Sequence, residues 1–413
     1  MNLPELLAPA GNPERLKAAL HFGADAVYLG MRKLSLRNFA DNFTLDELNE
    51  ACTLAHGLFR RVYVTLNAFA RDSELRDLPG MLRDIAAAGA DALIVNDPGV
   101  LCLARETLPD MELHLSTQAN TLNARAAAFW HAQGVKRIVL ARELTLTQIE
   151  AIRNACPPEL ELEMFVHGAM CISYSGRCLL SNYLNGRDSN RGECAQPCRW
   201  RYELCEAGKD GAYFPIEQDD QGAYVLNSRD LNLLPLLPGV LKTGVNSLKI
   251  EGRMKSVYYV ATVVNAYRMA LDAYRDSAPG ELTPPDRKLE EELEKASHRA
   301  YTAGFALGDP GPEGQSAGYG GYLQTHELSA MVLGYDGVGG RALVEQRNRF
   351  FTGDTLEILS PGDTARSAVV SYIETKAGER VNCAPHPQER LWIGCDAPLL
   401  PGDMLRKKLA PAR

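Results

Sequence analysis

The chain has 413 residues, 46% of them apolar and 23% charged, which fits a folded globular protein and excludes wholesale disorder. At roughly 150 residues per domain, that length allows two or three domains. Lys plus Arg number 44 against 52 Asp plus Glu, so the net charge is −8 and any RNA site must be a local basic patch on an acidic body.

The opening Met1-Asn2-Leu3-Pro4-Glu5 runs straight into an apolar strand, without the charged and apolar regions of a secretory signal. No apolar run approaches the ~18 residues of a membrane span. A cytoplasmic location is therefore expected, and the ten cysteines point to metal or redox use rather than disulfides.

In chain order, apolar runs at Glu5–Ala10, Ala26–Gly30, Val62–Asn67, Ala92–Asn96, Glu112–Thr117, Arg137–Ala141, Glu161–His167 and Ser247–Gly252 read as strands. The segments between the first seven have helical composition. Asn12 before Pro13 is a helix-start signal. Gly23-Ala24-Asp25-Ala26 and Gly89-Ala90-Asp91-Ala92 place glycine where a helix ends and a strand begins, and looser copies begin at Gly134 and Gly244. Eight such β-then-α units predict an α/β fold, a TIM-like (β/α)8 barrel. The doubly wound alternative lacks a GxGxxG after its first strand.

A cysteine-rich insertion, residues 171–227, separates strands seven and eight. Helices are predicted over Ser256–Arg275 and Pro285–Tyr301, which closes a barrel unit over residues 1–305. A Gly-rich linker follows at 306–327. From 328 to 413 the pattern alternates, with turn pairs such as Gly353-Asp354 and Pro401-Gly402-Asp403. That predicts a small all-β barrel or sandwich of about six strands.

Residues two apart on a strand share a face. Strand five puts Leu113 and Leu115 on one face and His114, Ser116 and Gln118 on the other. Strand seven separates Leu162, Met164 and Val166 from Glu161, Glu163, Phe165 and His167. Strand eight separates Leu248 and Ile250 from Lys249, Glu251 and Arg253. The apolar faces should meet the helices and the polar faces should line the barrel. Catalytic residues of this fold sit at the C-terminal strand ends, where unpaired charge is costly. Lys249, Glu251 and Arg253 thus read as an anion or substrate site, or else as a salt-bridge network that closes the barrel. His114, Glu163 or His167 could handle protons there, although a satisfied core histidine is an equal reading of His167.

Cys171, Cys178, Cys194 and Cys198 form a C-x6-C-x15-C-x3-C cluster, while the other six cysteines are scattered. Four thiolates can hold zinc or an iron–sulfur cluster, or stay unligated; the wide irregular spacing favours [4Fe–4S]. The insertion is also basic, with Arg177, Arg187, Arg191, Arg199 and Arg201 among Tyr174, Tyr183 and Trp200. Arginine interleaved with aromatics suits RNA, and a solvated surface loop is the alternative.

The stretch EMFVHGAMCISYSGRCLLS, Glu163–Ser181, resembles the signature of the collagenase-like peptidase family U32 at every fixed position. LLAPAG at Leu6–Gly11, GADAVYLG at Gly23–Gly30, HLSTQAN at His114–Asn120 and SLKIEGRMKS at Ser247–Ser256 resemble it too. The likeness continues more weakly over Gln346–Ile358. Several members of that family hydroxylate RNA or quinones rather than cleave peptides. Length and β tail resemble the tRNA branch, except that the segment between Cys198 and Asn227 is shorter. The resemblance implies oxygen-independent formation of 5-hydroxyuridine at the tRNA wobble position. It also implies prephenate as co-substrate and a [4Fe–4S] cluster on Cys171, Cys178, Cys194 and Cys198. tRNA would be the partner, with an electron donor of unknown identity. Lys249 and Arg253 would meet prephenate carboxylates, and the insertion arginines would meet tRNA phosphates. The alternatives are a protease, for which no HExxH or GxSxG is present, an iron–sulfur accessory subunit, and a hydroxylase of ribosomal RNA or a quinone.

Overall fold

The computed structural model describes residues 3–32, 42–200, 228–278, 282–315 and 322–409, with four two-residue strand pieces between 204 and 223 described as backbone alone. Eight parallel strands close into a barrel: β1 (Glu5–Pro9), β2 (Ala26–Gly30), β3 (Arg61–Leu66), β4 (Ala92–Val95), β5 (Glu112–Leu115), β6 (Arg137–Val139), β7 (Glu161–Ala169) and β9 (Ser247–Ile250). Strand β9 pairs with both β1 and β7, which completes the ring. Helices α1 (Pro13–His21), α2 (Leu45–Gly57), α3 (Leu78–Ala87), α4 (Pro98–Thr107), α5 (Ala124–Ala132) and α6 (Leu146–Ala155) fill the intervals, and the short helices α7 (Leu180–Asn185) and α8 (Leu237–Lys242) come later in the chain. Asn12 caps α1, its Oδ1 accepting from the Arg15 N–H at 3.0 Å. Gly23 and Gly89 take φ of +99° and +95°, the left-handed turn from helix to strand that the sequence predicts.

Outward-facing Leu6, Val27, Val64, Leu93, Leu113, Leu162 and Leu248 join the large core beneath the helices. Inward-facing Leu7, Ala26, Tyr28, Tyr63, Ala92 and Ile94 form a separate cluster inside the barrel. Below them a charged layer closes the N-terminal end. The Arg137 guanidinium meets Glu5 at 2.6 Å, Glu161 at 2.7 Å and Glu163 at 3.3 Å, while the Tyr63 hydroxyl donates to Glu5 at 2.7 Å.

Three local expectations are corrected. Strand eight stops at Ile250 rather than Gly252, and residues 251–256 form the turn into α9 (Val257–Asp276). A short strand absent from the sequence reading, β8 (Asp230–Asn232), pairs antiparallel with the end of β7. The helix expected over Pro285–Tyr301 is only α10 (Arg287–Leu293). Its chain leaves the helix because buried Asp230 accepts from the Arg299 backbone N–H at 3.1 Å and from Nε at 2.9 Å. Tyr301–Thr302 then extends the sheet as β10 alongside β8. Burial of a carboxylate with two charge-assisted partners outweighs the modest helix propensity of this segment.

The C-terminal unit is a closed antiparallel barrel of six long strands: β11 (His326–Asp336), β12 (Arg341–Gln346), β13 (Thr355–Ser360), β14 (Asp363–Glu374), β15 (Arg390–Cys395) and β16 (Met404–Lys408). Its order is β13-β16-β11-β12-β15-β14, and β14 returns to β13. Fully buried Arg406 fastens it to the first unit, pairing with Glu292 of α10 at 2.7 Å and with Glu357 at 3.1 Å. Asn265 of α9 adds bonds to the Ser360 carbonyl and the Gly362 N–H. Among the described residues, no helix is long and apolar enough to cross a membrane.

Candidate active site at the barrel mouth

A cavity of about 330 Å³ opens at the C-terminal strand ends, roofed by the cysteine-bearing segment. Lys249 and Phe165 form its floor with Tyr28. Asn67 follows β3, Ser116 and Gln118 follow β5, Arg142 follows β6, and Glu251 and Arg253 follow β9. The roof runs from Ala169 to Cys198. Among its lining residues are four cations, Arg142, Lys249, Arg253 and Lys255, and one carboxylate, Glu251. On a chain of net charge −8, this is a local anion-attracting site.

Lys249 Nζ donates to Glu163 Oε1 at 2.8 Å and lies 4.4 Å from the Tyr28 ring centre. Burial alone would raise the Glu163 pKa, but Lys249 and Arg137 overcome it and bring it down to about 2. Burial lowers the pKa of Lys249 against the pull of Glu163. Glu163 is therefore a fixed counter-ion beneath the floor and not a proton acceptor at neutral pH, which corrects one expected role. Arg253 is buried at the rim, with Nη1 donating to Thr65 Oγ1 at 2.9 Å and Nη2 to Asn42 Oδ1 at 2.8 Å.

The two histidines are corrected as well. His114 does face the interior, but it lies below the cavity, edge-on to Tyr63 at 4.8 Å. Burial lowers its pKa and keeps the ring neutral. His167 does not face the interior at all. The pairing of β9 with β7 steps from Lys249–Phe165 to Ile250–His167, so Val166 is an extra residue and the bulge turns His167 outward. It packs among Tyr259, Tyr267 and Tyr301, and burial pushes its pKa down to about 3. His167 is a core histidine.

Gln118 packs closely beneath the roof at Gly176. Its Oε1 is buried without a hydrogen-bond partner, and a Cβ on Gly176 would come within 2.2 Å of it. Gly176 also has φ of +72°, so glycine is required on two counts. Asn120 Nδ2 donates to the Ser175 carbonyl at 2.9 Å and pins the same loop.

Cys171, Cys178, Cys194 and Cys198 all line this one cavity, and none forms a disulfide. The Gln196 N–H donates to Cys194 Sγ at 3.3 Å, the type of bond that stabilises a thiolate. Among the described residues, no three His, Cys, Asp or Glu side chains converge closely enough to hold a metal ion. The donor set itself, four thiols gathered around one cavity, suits a soft-metal or iron–sulfur group.

The basic insertion divides. Arg177 is exposed. Arg187 Nε donates to the Glu193 carbonyl at 2.9 Å. Arg191 grips Glu74 with both Nη atoms, at 2.5 and 3.0 Å, and also donates to the Phe69 carbonyl. Arg187 and Arg191 thus fold the insertion and tie it to the barrel. The Arg199 side chain and all of Arg201 lie outside the described residues. Arg142 escaped the sequence reading. Its signal was a lone cation directly after the apolar run Ile138-Val139-Leu140-Ala141.

Two family profiles match the chain: Peptidase family U32 over residues 11–316, and the Peptidase family U32 C-terminal domain over 324–406. A Bacillus subtilis protein named tRNA hydroxylation protein P1 is 39% identical over 405 residues, 98% of this chain and 94% of that one. The Escherichia coli tRNA hydroxylation protein P is 36% identical, over 94% of this chain and 93% of that one. An E. coli 23S rRNA 5-hydroxycytidine synthase is 39% identical over 275 residues, 65% of this chain and 39% of that one. The chain belongs to Peptidase family U32.

Proposed function

We propose that this chain is an RNA hydroxylase acting on tRNA, forming 5-hydroxyuridine at the wobble position with prephenate as co-substrate and without molecular oxygen. The observation that carries this reading is the mouth cavity, whose lining includes four thiols, four cations and one carboxylate. Near full-length similarity to proteins named for tRNA hydroxylation supports it. A cavity of about 330 Å³ is at the lower end of ligand-pocket sizes and suits a base or a small acid.

Cys171, Cys178, Cys194 and Cys198 would hold a [4Fe–4S] cluster, which when bound supplies one-electron transfer. The chain's own residues do the rest. Lys249 and Arg253 bring positive charge to the carboxylates of the co-substrate. Glu163 keeps Lys249 protonated and fixed. Exposed Tyr174 on the cavity lining, and exposed Tyr183 and Trp200 of the same insertion, offer stacking faces for bases of a single-stranded loop, and Arg177 offers charge for its phosphates. The target base must leave its stack to reach the floor.

The test is nucleoside mass spectrometry of tRNA from a bacterial strain without tRNA hydroxylase activity. The strain is complemented with the wild-type chain or with Cys171→Ser. Restoration of 5-hydroxyuridine by wild type alone is expected. No restoration by wild type refutes the tRNA assignment, and full restoration by the variant refutes the role of the four cysteines.

A further inference from the structure

We propose that Arg142 is the anion anchor of the mouth cavity, and that it binds a carboxylate of a small hydroxylated dicarboxylic acid rather than an RNA phosphate. This rests on reading the mouth as the co-substrate site, and names the residue and ligand chemistry within it.

The other cations of the cavity are already engaged. Lys249 pairs with Glu163 at 2.8 Å and Lys255 faces Asp230 at 3.8 Å. Arg253 is clamped by Thr65 and Asn42. Arg142 differs. Its Nη1 donates to the Ala169 carbonyl at 2.8 Å, and its guanidinium stacks 4.1 Å from the Phe165 ring centre. It makes no ion pair with a carboxylate among the described residues, although neighbouring Glu143 feels its charge, and its Nε, like that of Arg253, is buried with no acceptor. A half-buried guanidinium with no carboxylate in direct contact is costly, and an arriving anion reduces that cost. The planar fork fits a carboxylate in a bidentate mode.

Phe165 sets the spacing of the charges. Lys249 Nζ lies 5.7 Å from the same ring centre, so the two cations, both lining one cavity, are at most about 10 Å apart across this ring. That span matches two carboxylates on a small carbon frame. The wall from β3 and β5 adds the opposite demand. Asn67 Oδ1 and Gln118 Oε1 are both buried acceptors without a donor. A ligand that satisfies this cavity carries negative groups at one end and a hydrogen-bond donor at the other. An RNA nucleotide also combines a phosphate charge with 2′-hydroxyl and base donors, so acid binding and tRNA binding are measured separately, while a neutral pyrimidine has no charge. A hydroxylated dicarboxylate has both, and prephenate is one.

The experiment uses the full-length chain, with iron content matched between variants. Prephenate, and malate as a plain hydroxydicarboxylate, are titrated calorimetrically into wild type, Arg142→Met and Arg142→Lys, and tRNA binding is measured separately by filter retention. Arg142→Met keeps the stem over Phe165 and removes the fork. It should weaken acid binding at least tenfold, about 1.4 kcal/mol, and leave tRNA binding within about twofold. Arg142→Lys should fall between. The proposal is overturned if Arg142→Met binds the acids like wild type, or if it loses tRNA and keeps the acids. If Arg142→Met does not fold, unchanged acid affinity in Arg142→Lys overturns it. Arg142-dependent binding of malate without prephenate keeps the anchor and removes prephenate. If wild type binds neither acid, the anchor is refuted, while tRNA hydroxylation is judged independently by the nucleoside assay.

Discussion

Replacing Lys249 by methionine tests how the barrel carries charge at its centre. The ammonium lies 2.8 Å from Glu163, with side-chain exposures of 5% and 0%. In the variant, Arg137 at 3.3 Å is the ion-pair partner left to Glu163 among the described residues. Breaking one partner of a buried pair typically costs about 3–5 kcal/mol, because the remaining charge stays desolvated. The titration of Glu163 gives a similar size. Its pKa of about 2 lies more than two units below the usual carboxylate, and at 1.36 kcal/mol per unit that is about 3 kcal/mol near neutral pH. Burial depresses the Lys249 pKa, so the pair as a whole adds little beyond what two well-packed neutral side chains would. The assay is a double-mutant cycle in urea with Lys249→Met, Glu163→Gln and both together. Each single variant should lose about 3–5 kcal/mol, and the double variant, which leaves neither charge buried alone, should lose less than either single variant. Additive losses, or single losses below about 1 kcal/mol, would refute a mutually dependent pair.

Three further outcomes follow from the same geometry. Because folding depresses the Glu163 pKa, its contribution is present above about pH 4.5 and disappears as the pH falls toward about 2. Acid titrations of stability should flatten over that window in Glu163→Gln. Arg191→Ala removes a partly exposed pair with Glu74, so it should cost no more than about 1 kcal/mol. It should also speed proteolysis within residues 171–200 and shift tRNA affinity by less than about twofold; a tenfold loss would restore Arg191 as an RNA contact. Gly176→Ala forces a Cβ against Gln118 Oε1 at a positive φ, which costs of order 1–3 kcal/mol locally. Iron retention under a chelator should fall while the barrel's unfolding midpoint moves little.

Much of this arrangement is legible before folding. The eight strands, their punctuating glycines and the six-stranded tail follow from local periodicity and turn chemistry, which need only neighbours in sequence. The inward face of Lys249 and Glu163, and the gathering of Cys171, Cys178, Cys194 and Cys198, follow from strand alternation and spacing. The errors came where a contact from far along the chain overrode a local rule. One extra residue at Val166 breaks the alternation and sends His167 into the tyrosine cluster. Asp230 draws Arg299 out of a helical pattern from 69 residues away. Glu74 claims Arg191, which looks like a free basic residue in the sequence.

By itself, then, the sequence determined the barrel, its β tail, the cysteine set and the sign of charge at the mouth, because periodicity and residue chemistry are local properties. Tertiary structure alone decided which charges are satisfied. Lys249 and Arg191 find carboxylates, Arg253 finds Thr65 and Asn42, and Arg142 lies over Phe165 without a carboxylate partner among the described residues. A charge acquires its role from what surrounds it, and those surroundings exist only once distant segments have packed.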